Sequence, residues 1–323
     1  MAQHFLLSKA ARTLNLSKVA RMSDDEAWST FKAIRWEATE GAPFCPRCGC
    51  LKHSFIATRK LFKCAGCRHQ YSVTSGTIFA SRKLPIRDHL LAIAIFANGA
   101  KGHSALQLSR DLDCQYRTAF VMAHKLREAV AAESADTTLE GNVEVDGAYF
   151  GGHVRPENMK ADRRDRRLAE NQTGKRRVVV VIRETKGKAL TFAFRSEAES
   201  VPTIVERVAP GSVVHADEAK GWDRLHASFK THRINHQQAY SADGACTNQA
   251  ESFFSRLRRA EMGVHHHVAG PYLAAYAGEM AWRENHRRVS NGEQYALITG
   301  AALTHAPSKV WKGYWQRHTA KVA

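Results

Sequence analysis

Three acidic residues have the types and positions that metal-dependent chemistry requires. Asp146 ends the alternating polar and apolar segment 142–146, Asp217 ends the apolar segment 213–217, and Glu251 lies in the first turn of a predicted helix. Carboxylates at neighbouring strand ends and on a packed helix can converge, and their like charges then require divalent cations. Oxygen-only ligands favour Mg²⁺ or Mn²⁺, and a pair of such ions suits phosphoryl transfer.

Other interpretations of these acids remain open at the level of sequence. Asp146 and Asp217 are also residue types that form turns after strands. Glu251 lies three residues after Asn248, so the two could equally form a capping box at the start of the helix. Glu144 lies on the same strand face as Asp146 and is the strongest alternative ligand. Further acids nearby are Glu218, Asp223 and Asp243.

Four cysteines form a second constellation. Cys45 and Cys48 are followed, after 15 residues, by Cys64 and Cys67. Two CxxC pairs on two hairpin turns can bind one tetrahedral zinc ion. Because no export signal precedes them, a disulfide framework is a poor interpretation. Cys50 lies just outside the first pair and is an alternative ligand, although its spacing fits less well. The pattern predicts a structural zinc ribbon.

The elements around the ribbon are predicted to be helical. Ser23 and Glu26 form a capping box before a helix with one apolar face. The segment 85–131 has helical periodicity and contains a second start signal at Ser104. A tight connection at 111–114 joins two short helices, which favours a helix-turn-helix whose second member enters a major groove. Helical hairpins that never contact DNA are the alternative.

The second half of the chain alternates strands and helices. Segments 178–182 and 190–194 flank a turn and predict a β-hairpin. Helices are predicted over 198–208, from Asn248 to about 261, and from about 271 to 287. Strands interrupted by helices indicate a mixed α/β domain.

The charge of the chain points to a polyanionic partner. Its 323 residues include 48 Lys and Arg against 31 Asp and Glu, a net charge of +17, which favours nucleic acid. With no uninterrupted apolar run of about 18 residues, a membrane span is not expected. Residues 155–177 contain nine basic and four acidic side chains, which predicts an exposed basic arm or merely a solvated face. The predicted DNA-binding residues are Arg163, Arg164, Arg166, Arg167, Lys175, Arg176, Arg177, Arg258 and Arg259.

Several motifs in fixed order carry a resemblance to a known family. They are Phe31-Lys-Ala-Ile-Arg-Trp36, the cysteine ribbon, Thr74-Ser-Gly-Thr-Ile-Phe79, Arg82-Lys-Leu-Pro85 and Val145-Asp-Gly-Ala-Tyr-Phe-Gly-Gly152. Together they resemble the zinc-ribbon branch of bacterial insertion-sequence transposases of the ISXO type, from about residue 23 to residue 290. The resemblance implies a DDE catalytic domain with the RNase H-like fold.

The same resemblance implies roles for individual residues. Asp146 matches the first metal-binding Asp and Asp217 the second. Glu251 is the natural third acid, and Asn248 could add a contact. The run His265-His-His267 is similar to the closing segment of the family, and these side chains could contact DNA, assist the metal site or pack. The implied cofactors are structural Zn²⁺ on the four cysteines and catalytic Mg²⁺ or Mn²⁺ on the three acids.

The expected protein is a DNA transposase with an α/β fold: an RNase H-like mixed-sheet domain preceded by a zinc ribbon and a small helix-turn-helix-like segment. It would bind terminal inverted repeats, cut DNA and join the 3′-hydroxyl to a target, as a homo-oligomer on double-stranded DNA in the cytoplasm, at the nucleoid. The alternatives are a zinc-ribbon regulator with a non-catalytic nuclease-like domain, and a metal-dependent nuclease or resolvase without joining activity. Expected domains are 1–42 (N-terminal helix), 43–84 (ribbon), 85–135 (helical DNA-binding segment), 136–290 (catalytic domain) and 291–323 (C-terminal tail).

Overall fold

The computed structural model of the chain describes residues 5–152, 156–165, 168–171, 173–234, 241–242 and 245–319. The chain divides into two compact units, one formed by Met1–Glu133 with His286–Ala323 and the other by Ser134–Asn285. None of the helices in these described ranges is long and apolar enough to cross a membrane.

The helices and strands have the following bounds. The helices are α1 (Leu16–Ala20), α2 (Asp24–Arg35), α3 (Ile86–Asn98), α4 (Ala105–Asp111), α5 (Tyr116–Ala132), α6 (Val201–Arg207), α7 (Asn248–Ala260), α8 (Leu273–Asn285), α9 (Asn291–Thr304) and α10 (Tyr314–Thr319). The strands are β1 (His53–Ile56), β2 (Leu61–Cys64), β3 (Gln70–Tyr71), β4 (Asn142–Phe150), β5 (Arg177–Glu184), β6 (Ala189–Phe194), β7 (Val213–Asp217), β8 (Lys230–Ile234), β9 (Ser241–Ala242) and β10 (Ala245–Cys246).

In the first unit, helix α2 packs on the small antiparallel sheet β1-β2-β3. The capping box predicted at Ser23 and Glu26 is present, with both hydrogen bonds made. Trp28 stacks on Phe62 of β2 at a centroid distance of 5.9 Å, and Trp36 meets the same ring edge-on at 5.6 Å. The helix and the ribbon therefore share one aromatic core, although the sequence analysis placed them in separate segments.

The C-terminal segment differs from the tail that was expected from residue 291. Helix α9 packs against α2, α3 and α5. Its side chains Ile298, Ala302 and Leu303 are buried, so this segment contributes to the core of the first unit. The Asn291 side chain, at the start of α9, also accepts the backbone N–H of Thr13 at 2.8 Å. Local sequence did not reveal this packing because the helices that α9 contacts lie far earlier in the chain.

The second unit is built on a five-stranded sheet with the order β6-β5-β4-β7-β8. Strand β5 runs antiparallel to both of its neighbours, β4 and β6, whereas β7 runs parallel to β4 and β8 runs parallel to β7. The apolar run Val178–Ile182 of β5 is fully buried because both faces of this central strand are covered. This mixed sheet confirms the predicted fold class. The first predicted strand continues beyond residue 146 to Phe150.

Strand β4 separates two apolar cores. Val143 and Val145 belong to a core that includes α6, whereas Ala148 and Phe150 pack with residues of α7 and α8. The alternation of side chains along a strand therefore places Glu144 and Asp146 on the α7 face of the sheet.

Candidate active site and metal centres

The four cysteines of the two CxxC pairs come together in the first unit. The Sγ atoms of Cys45, Cys48, Cys64 and Cys67 all lie within 4.8 Å of one another. The backbone N–H of Cys67 donates to Sγ of Cys64 at 3.4 Å, and this bond is the main cause that lowers the pKa of the Cys64 thiol to about 6. Four sulfur donors in this arrangement fit a structural zinc ion.

Cys50, the alternative ligand, lies outside this cluster. Its Sγ atom contacts the carbonyl oxygen of Lys52 at 3.7 Å, while its own carbonyl accepts the N–H of Cys45 at 3.0 Å. Cys50 therefore closes the first knuckle through its backbone, and the Cys45, Cys48, Cys64 and Cys67 set is the one that the geometry assembles.

In the second unit, two of the predicted acids lie on neighbouring strands, with Asp217 as the last residue of β7 and Asp146 within β4 at the level of that end; we call this region the strand-end site. Val145 of β4 is the parallel partner of Ala216 of β7, so the next residues, Asp146 and Asp217, stand side by side. Both are half-buried. One carboxylate oxygen of Asp146 accepts the N–H of Gly147 at 2.7 Å, and one of Asp217 accepts the N–H of Ala219 at 3.1 Å.

The third predicted acid reaches the same region from a helix. Glu251 lies in the first turn of α7, half-buried, and lines one groove of about 540 Å³ together with Asp146. Phe254 of the same helix also lines this groove and is buried against the sheet. Arg258 and Arg259, two of the predicted DNA-binding residues, complete its wall. The groove thus combines carboxylates with guanidinium groups suited to phosphate.

Glu144, the strongest alternative acid, has a different role. It is 1% exposed, and its Oε2 atom accepts the backbone N–H groups of Gln249 and Ala250 at 2.9 and 3.0 Å. Burial raises the pKa of Glu144, while these two bonds and Arg183 act against that shift. Glu144 therefore caps helix α7 and holds it against β4.

The capping box considered for Asn248 and Glu251 is not present. The N-cap position of α7 is Thr247, which makes no side-chain cap, and the orphan N–H groups of the first turn bind Glu144 instead. A residue from a remote strand supplies the cap, so local spacing gave the wrong partner. Asn248 is exposed at the first helical position.

One acid near the strand ends was not singled out by the sequence analysis. Glu197 lies close enough to Asp217 and Asp146 that these charges, after burial as the main cause, raise the pKa of its carboxyl to about 7. No local motif marks this residue, because the turn that carries it follows β6 and not β4 or β7. The one sequence feature that could have indicated Glu197 is Gly147 beside Asp146, since a glycine within a strand often marks the close approach of another group.

The donor sets of the two centres differ in geometry. Within the described ranges, the four cysteines are the one set of three or more potential ligands whose donor atoms all lie within 4.8 Å. The acids at the strand ends are spaced more widely than that. Their donors are all carboxylate oxygens, which suits Mg²⁺ or Mn²⁺ and not the zinc of a thiolate site.

The helical hairpin predicted for DNA contact is present in the first unit. Helices α4 and α5 are joined by residues 112–115. The first turn of α5 is packed against the C-terminal segment: Trp315 donates its indole N–H to the carbonyl of Arg117 at 3.3 Å, and its ring lies 5.2 Å from that guanidinium. A cleft of about 350 Å³ beside them is lined by Arg82, Lys83, Arg117, Lys125 and Lys312, together with Trp311, Tyr314 and Trp315.

The basic arm is described only in part. Arg163, Arg164 and Lys175 are exposed, and the guanidinium of Arg176 lies 4.4 Å from the ring centre of Tyr149. Arg177 begins β5. Arg166 and Arg167 lie outside the described residues, as does Asp243.

The closing segment has packing roles in the structure. His265 meets the ring of Tyr276 edge-on at 4.5 Å, whereas His266 and His267 are exposed. Asn285, at the end of α8, bonds both the N–H and the carbonyl of Ala189 at 2.8 and 3.1 Å. The side-chain amide of Asn285 thus satisfies the backbone hydrogen-bonding groups of the first residue of β6.

Comparisons with known families agree with this architecture. The model of the ISXO2-like transposase domain matches residues 138–285, and the model of the transposase zinc-ribbon domain matches residues 22–70. Neither the curated proteins nor the solved structures gave a match. The first match spans the mixed sheet with α6, α7 and α8, and the second spans α2 with the cysteine ribbon. Together the two matches cover more than half of the chain, and they show that it belongs to the ISXO2-like transposases, with a zinc ribbon and a DDE domain that catalyses phosphoryl transfer.

Proposed function

We propose that this transposase binds the terminal inverted repeats of an insertion sequence, cleaves the DNA strand and joins its 3′-hydroxyl to target DNA. The observation that carries the proposal is the groove in which Asp146 and Glu251 meet Arg258 and Arg259, beside the strand end that carries Asp217. Negative groups for cations and positive groups for phosphates lie within one surface, as phosphoryl transfer on DNA requires.

Within this site, Asp146, Asp217 and Glu251 would hold two divalent cations. When bound, these ions supply the Lewis acidity that activates an attacking oxygen and stabilises a leaving one. Arg258 and Arg259 bind the phosphates on either side of the scissile bond. Glu144 fixes the first turn of α7 and thereby sets the position of Glu251 relative to β4.

Recognition of the repeat ends is assigned to the first unit. The cleft beside α5 brings five cationic side chains together with the rings of Phe79, Trp311, Tyr314 and Trp315, a combination that binds the backbone and the bases of nucleic acid. Arg117 and Lys312 both line this cleft, and DNA is proposed to bind along it.

The described arm residues Arg163, Arg164, Lys175, Arg176 and Arg177 are proposed to contact DNA near the groove. Their positive charges would interact with the DNA phosphates, an interaction that has no sequence preference. Two or more copies of the chain are proposed to hold the paired ends. Gel filtration of the complex with end DNA gives the copy number.

A strand-transfer assay tests the proposal. Labelled DNA that flanks the gene is incubated with purified protein, a supercoiled target and Mg²⁺ or Mn²⁺, beside Asp146→Asn. Cleavage at a repeat end followed by joining, absent in the variant, is the expected result. Cleavage without joining would indicate a nuclease or resolvase, and tight binding without cleavage would indicate a regulator.

The arginine assignment is tested separately by the salt dependence of DNA binding. Arg258→Gln with Arg259→Gln should reduce the slope of log affinity against log salt by about 0.9 for each phosphate that the variant no longer neutralises. Arg195→Gln, an exposed arginine of the same unit outside the groove, is the matched control. Equal slopes for all three proteins would remove these arginines from the DNA interface.

A further inference from the structure

Glu197 lies beside Gly147 of β4 and beside Gly221, four residues after the end of β7. It begins the short helical turn Glu197–Ser200 that follows β6. The fully buried Ser200 donates its hydroxyl to the carbonyl oxygen of Glu197 at 2.6 Å, which holds the turn closed. The Tyr149 side chain of β4 lies close by, because the Glu197 charge raises the pKa of its hydroxyl, after burial as the main cause. The carboxylate is therefore carried by a turn whose first and last residues are joined by a hydrogen bond.

Two glycines make room for this side chain. A Cβ atom at Gly147, the residue after Asp146, would lie 3.0 Å from both Cγ and Oε1 of Glu197. A Cβ atom at Gly221, four residues after Asp217, would lie 2.8 Å from Cβ and 3.3 Å from Oε2 of Glu197. A methyl group at Gly221 would clash with Cβ of Glu197, and one at Gly147 would fit only if the Glu197 side chain shifted. The two segments that carry the catalytic aspartates thus both leave space for the same carboxylate.

This arrangement accounts for a motif that the catalytic acids alone leave unexplained. In the segment Asp146-Gly-Ala-Tyr149, the glycine leaves space for the Glu197 side chain, and the tyrosine hydroxyl lies near enough to Glu197 for its charge to raise the pKa of that hydroxyl, after burial as the main cause. The guanidinium of Arg176 lies over the Tyr149 ring at 4.4 Å and supports it from outside. The residues that follow Asp146 therefore form part of the surroundings of Glu197.

Glu197 approaches the two aspartates from the side opposite to α7. Gly147 lies on the strand face of Val143 and Val145, which pack in the core that includes α6. Asp146 lies on the other face, in the groove with Glu251. Both aspartates act electrostatically on the Glu197 carboxyl. The strand ends are therefore flanked by one glutamate on each face of the sheet.

We propose that Glu197 is a fourth metal-binding carboxylate of the strand-end site and that it binds a divalent cation together with Asp146 and Asp217. This inference rests on the proposed function, because it concerns the same site. The donor set fits such an ion: carboxylate oxygens repel one another in its absence, and the space at Gly147 and Gly221 lets the Glu197 carboxylate approach the segments that carry the two aspartates. A purely structural Glu197 would need no charge, and Gln would serve equally well.

Mn²⁺ binding by the full-length, zinc-loaded protein tests the proposal without DNA chemistry. Free Mn²⁺ is measured by electron paramagnetic resonance during titration of the wild type, Glu197→Gln, Asp146→Asn and the control Glu199→Gln. Glu199 is exposed in the same turn and accepts the N–H of Arg195 at 3.0 Å, so it reports on changes of the turn alone. We expect Glu197→Gln to weaken Mn²⁺ binding by about tenfold or more, and Glu199→Gln to leave it unchanged.

A second variant displaces the side chain while keeping its charge. Gly221→Ala places a methyl group against Cβ of Glu197 and should weaken Mn²⁺ binding in the same direction. Strand transfer by Glu197→Gln should also need a higher Mn²⁺ concentration for half of its maximal rate.

The outcomes separate this inference from the proposed function. If Asp146→Asn loses Mn²⁺ binding and Glu197→Gln binds as the wild type does, the fourth carboxylate is overturned and the three-acid site stands. If the wild type binds no Mn²⁺, both are overturned. Weakened binding in Glu197→Gln at wild-type thermal stability supports the proposal, whereas equal weakening in Glu199→Gln would contradict it.

Discussion

The zinc ribbon and the strand-end site both gather acidic ligands, but they do so in opposite ways. The ribbon takes its four cysteines from 45 to 67, and their sulfur atoms lie within 4.8 Å of one another. The strand-end site takes its acids from 146 to 251, and these are spaced more widely. A metal site whose ligands are close in sequence can be assembled by its own turns, whereas a site whose ligands are far apart in sequence depends on the folding of the whole domain.

Charge explains why the two sites differ in spacing. Without a metal ion, the four sulfurs can share protons: Sγ of Cys48 lies 3.5 Å from that of Cys64, and Sγ of Cys45 lies 3.6 Å from that of Cys67. Carboxylates repel one another in a site of low dielectric, and the charges of Asp217 and Asp146, after burial as the main cause, raise the pKa of Glu197 to about 7. Their separation is therefore maintained by the sheet, by the Glu144 cap on α7 and by the groups that seat Glu197.

The largest expected effect is on the ribbon. Cys64→Ser, or chelation of zinc, should unfold the ribbon, because structural zinc contributes about 10–16 kcal/mol to such modules. Fluorescence of the buried Trp36, which packs on Phe62 and Tyr71, and protease cleavage within 45–71 report the change. Cys50→Ser is the matched control and should retain full zinc content. A melting curve that a chelator does not alter would contradict the zinc site.

The next effect separates chemistry from folding at the strand ends. Asp146→Asn should lower the strand-transfer rate by about 10³-fold, since loss of a metal-binding carboxylate removes several kcal/mol of transition-state stabilisation. Its urea midpoint should stay the same or rise, because one of several like charges is removed. If Asp146→Asn retained the wild-type rate of strand transfer, the strand-end site would not be the catalytic metal site, and its contrast with the structural zinc site would be lost.

The third effect concerns acid stability of the first unit. Burial lowers the pKa of His89 to about 4, and Arg82 and Lys125 act in the same direction, while the hydrogen bond to the Pro85 carbonyl opposes them. The unfolded chain has a His pKa near 6.5, so between about pH 6.5 and 4 it binds a proton that the folded chain does not. The free energy of unfolding should therefore fall by up to about 3 kcal/mol as the pH falls through this window.

The His89 effect is distinguished from acid release of zinc by a variant. His89→Gln removes the titrating group and leaves the cysteines intact, so the difference in unfolding free energy from the wild type should shrink as the pH falls. A constant difference across this range would assign all of the acid sensitivity to the ribbon.

The smallest expected effect distinguishes the structural role of Glu144 from the catalytic role proposed for Glu251. Glu144→Gln should cost about 1–3 kcal/mol, because it weakens a buried acceptor of two helix N–H groups. Glu251→Gln should leave the unfolding free energy nearly unchanged and abolish strand transfer. Urea denaturation and the transfer assay on both variants check this, and a reversed pattern would exchange the roles of these two acids.

Much of the fold could be predicted because the signals were local. The capping box at Ser23, the cysteine spacing and the hairpin at 178–194 depend on residues that are close in sequence, and the structure confirms each of them. The start of α7 could not be predicted in the same way. Its cap comes from Glu144, and the sequence near Asn248 contains a competing local pattern that the structure does not use.

The available chemistry can be read from the amino-acid sequence: four thiols at zinc spacing, acids beside two predicted strands, and a charge of +17 suited to DNA. Which acids lie near one another depends on the folded domain. Strand pairing set Asp146 beside Asp217, burial assigned Glu144 to helix α7, and two glycines admitted Glu197. The physical reason is distance along the chain, since contacts between remote residues depend on packing and register that no short segment encodes.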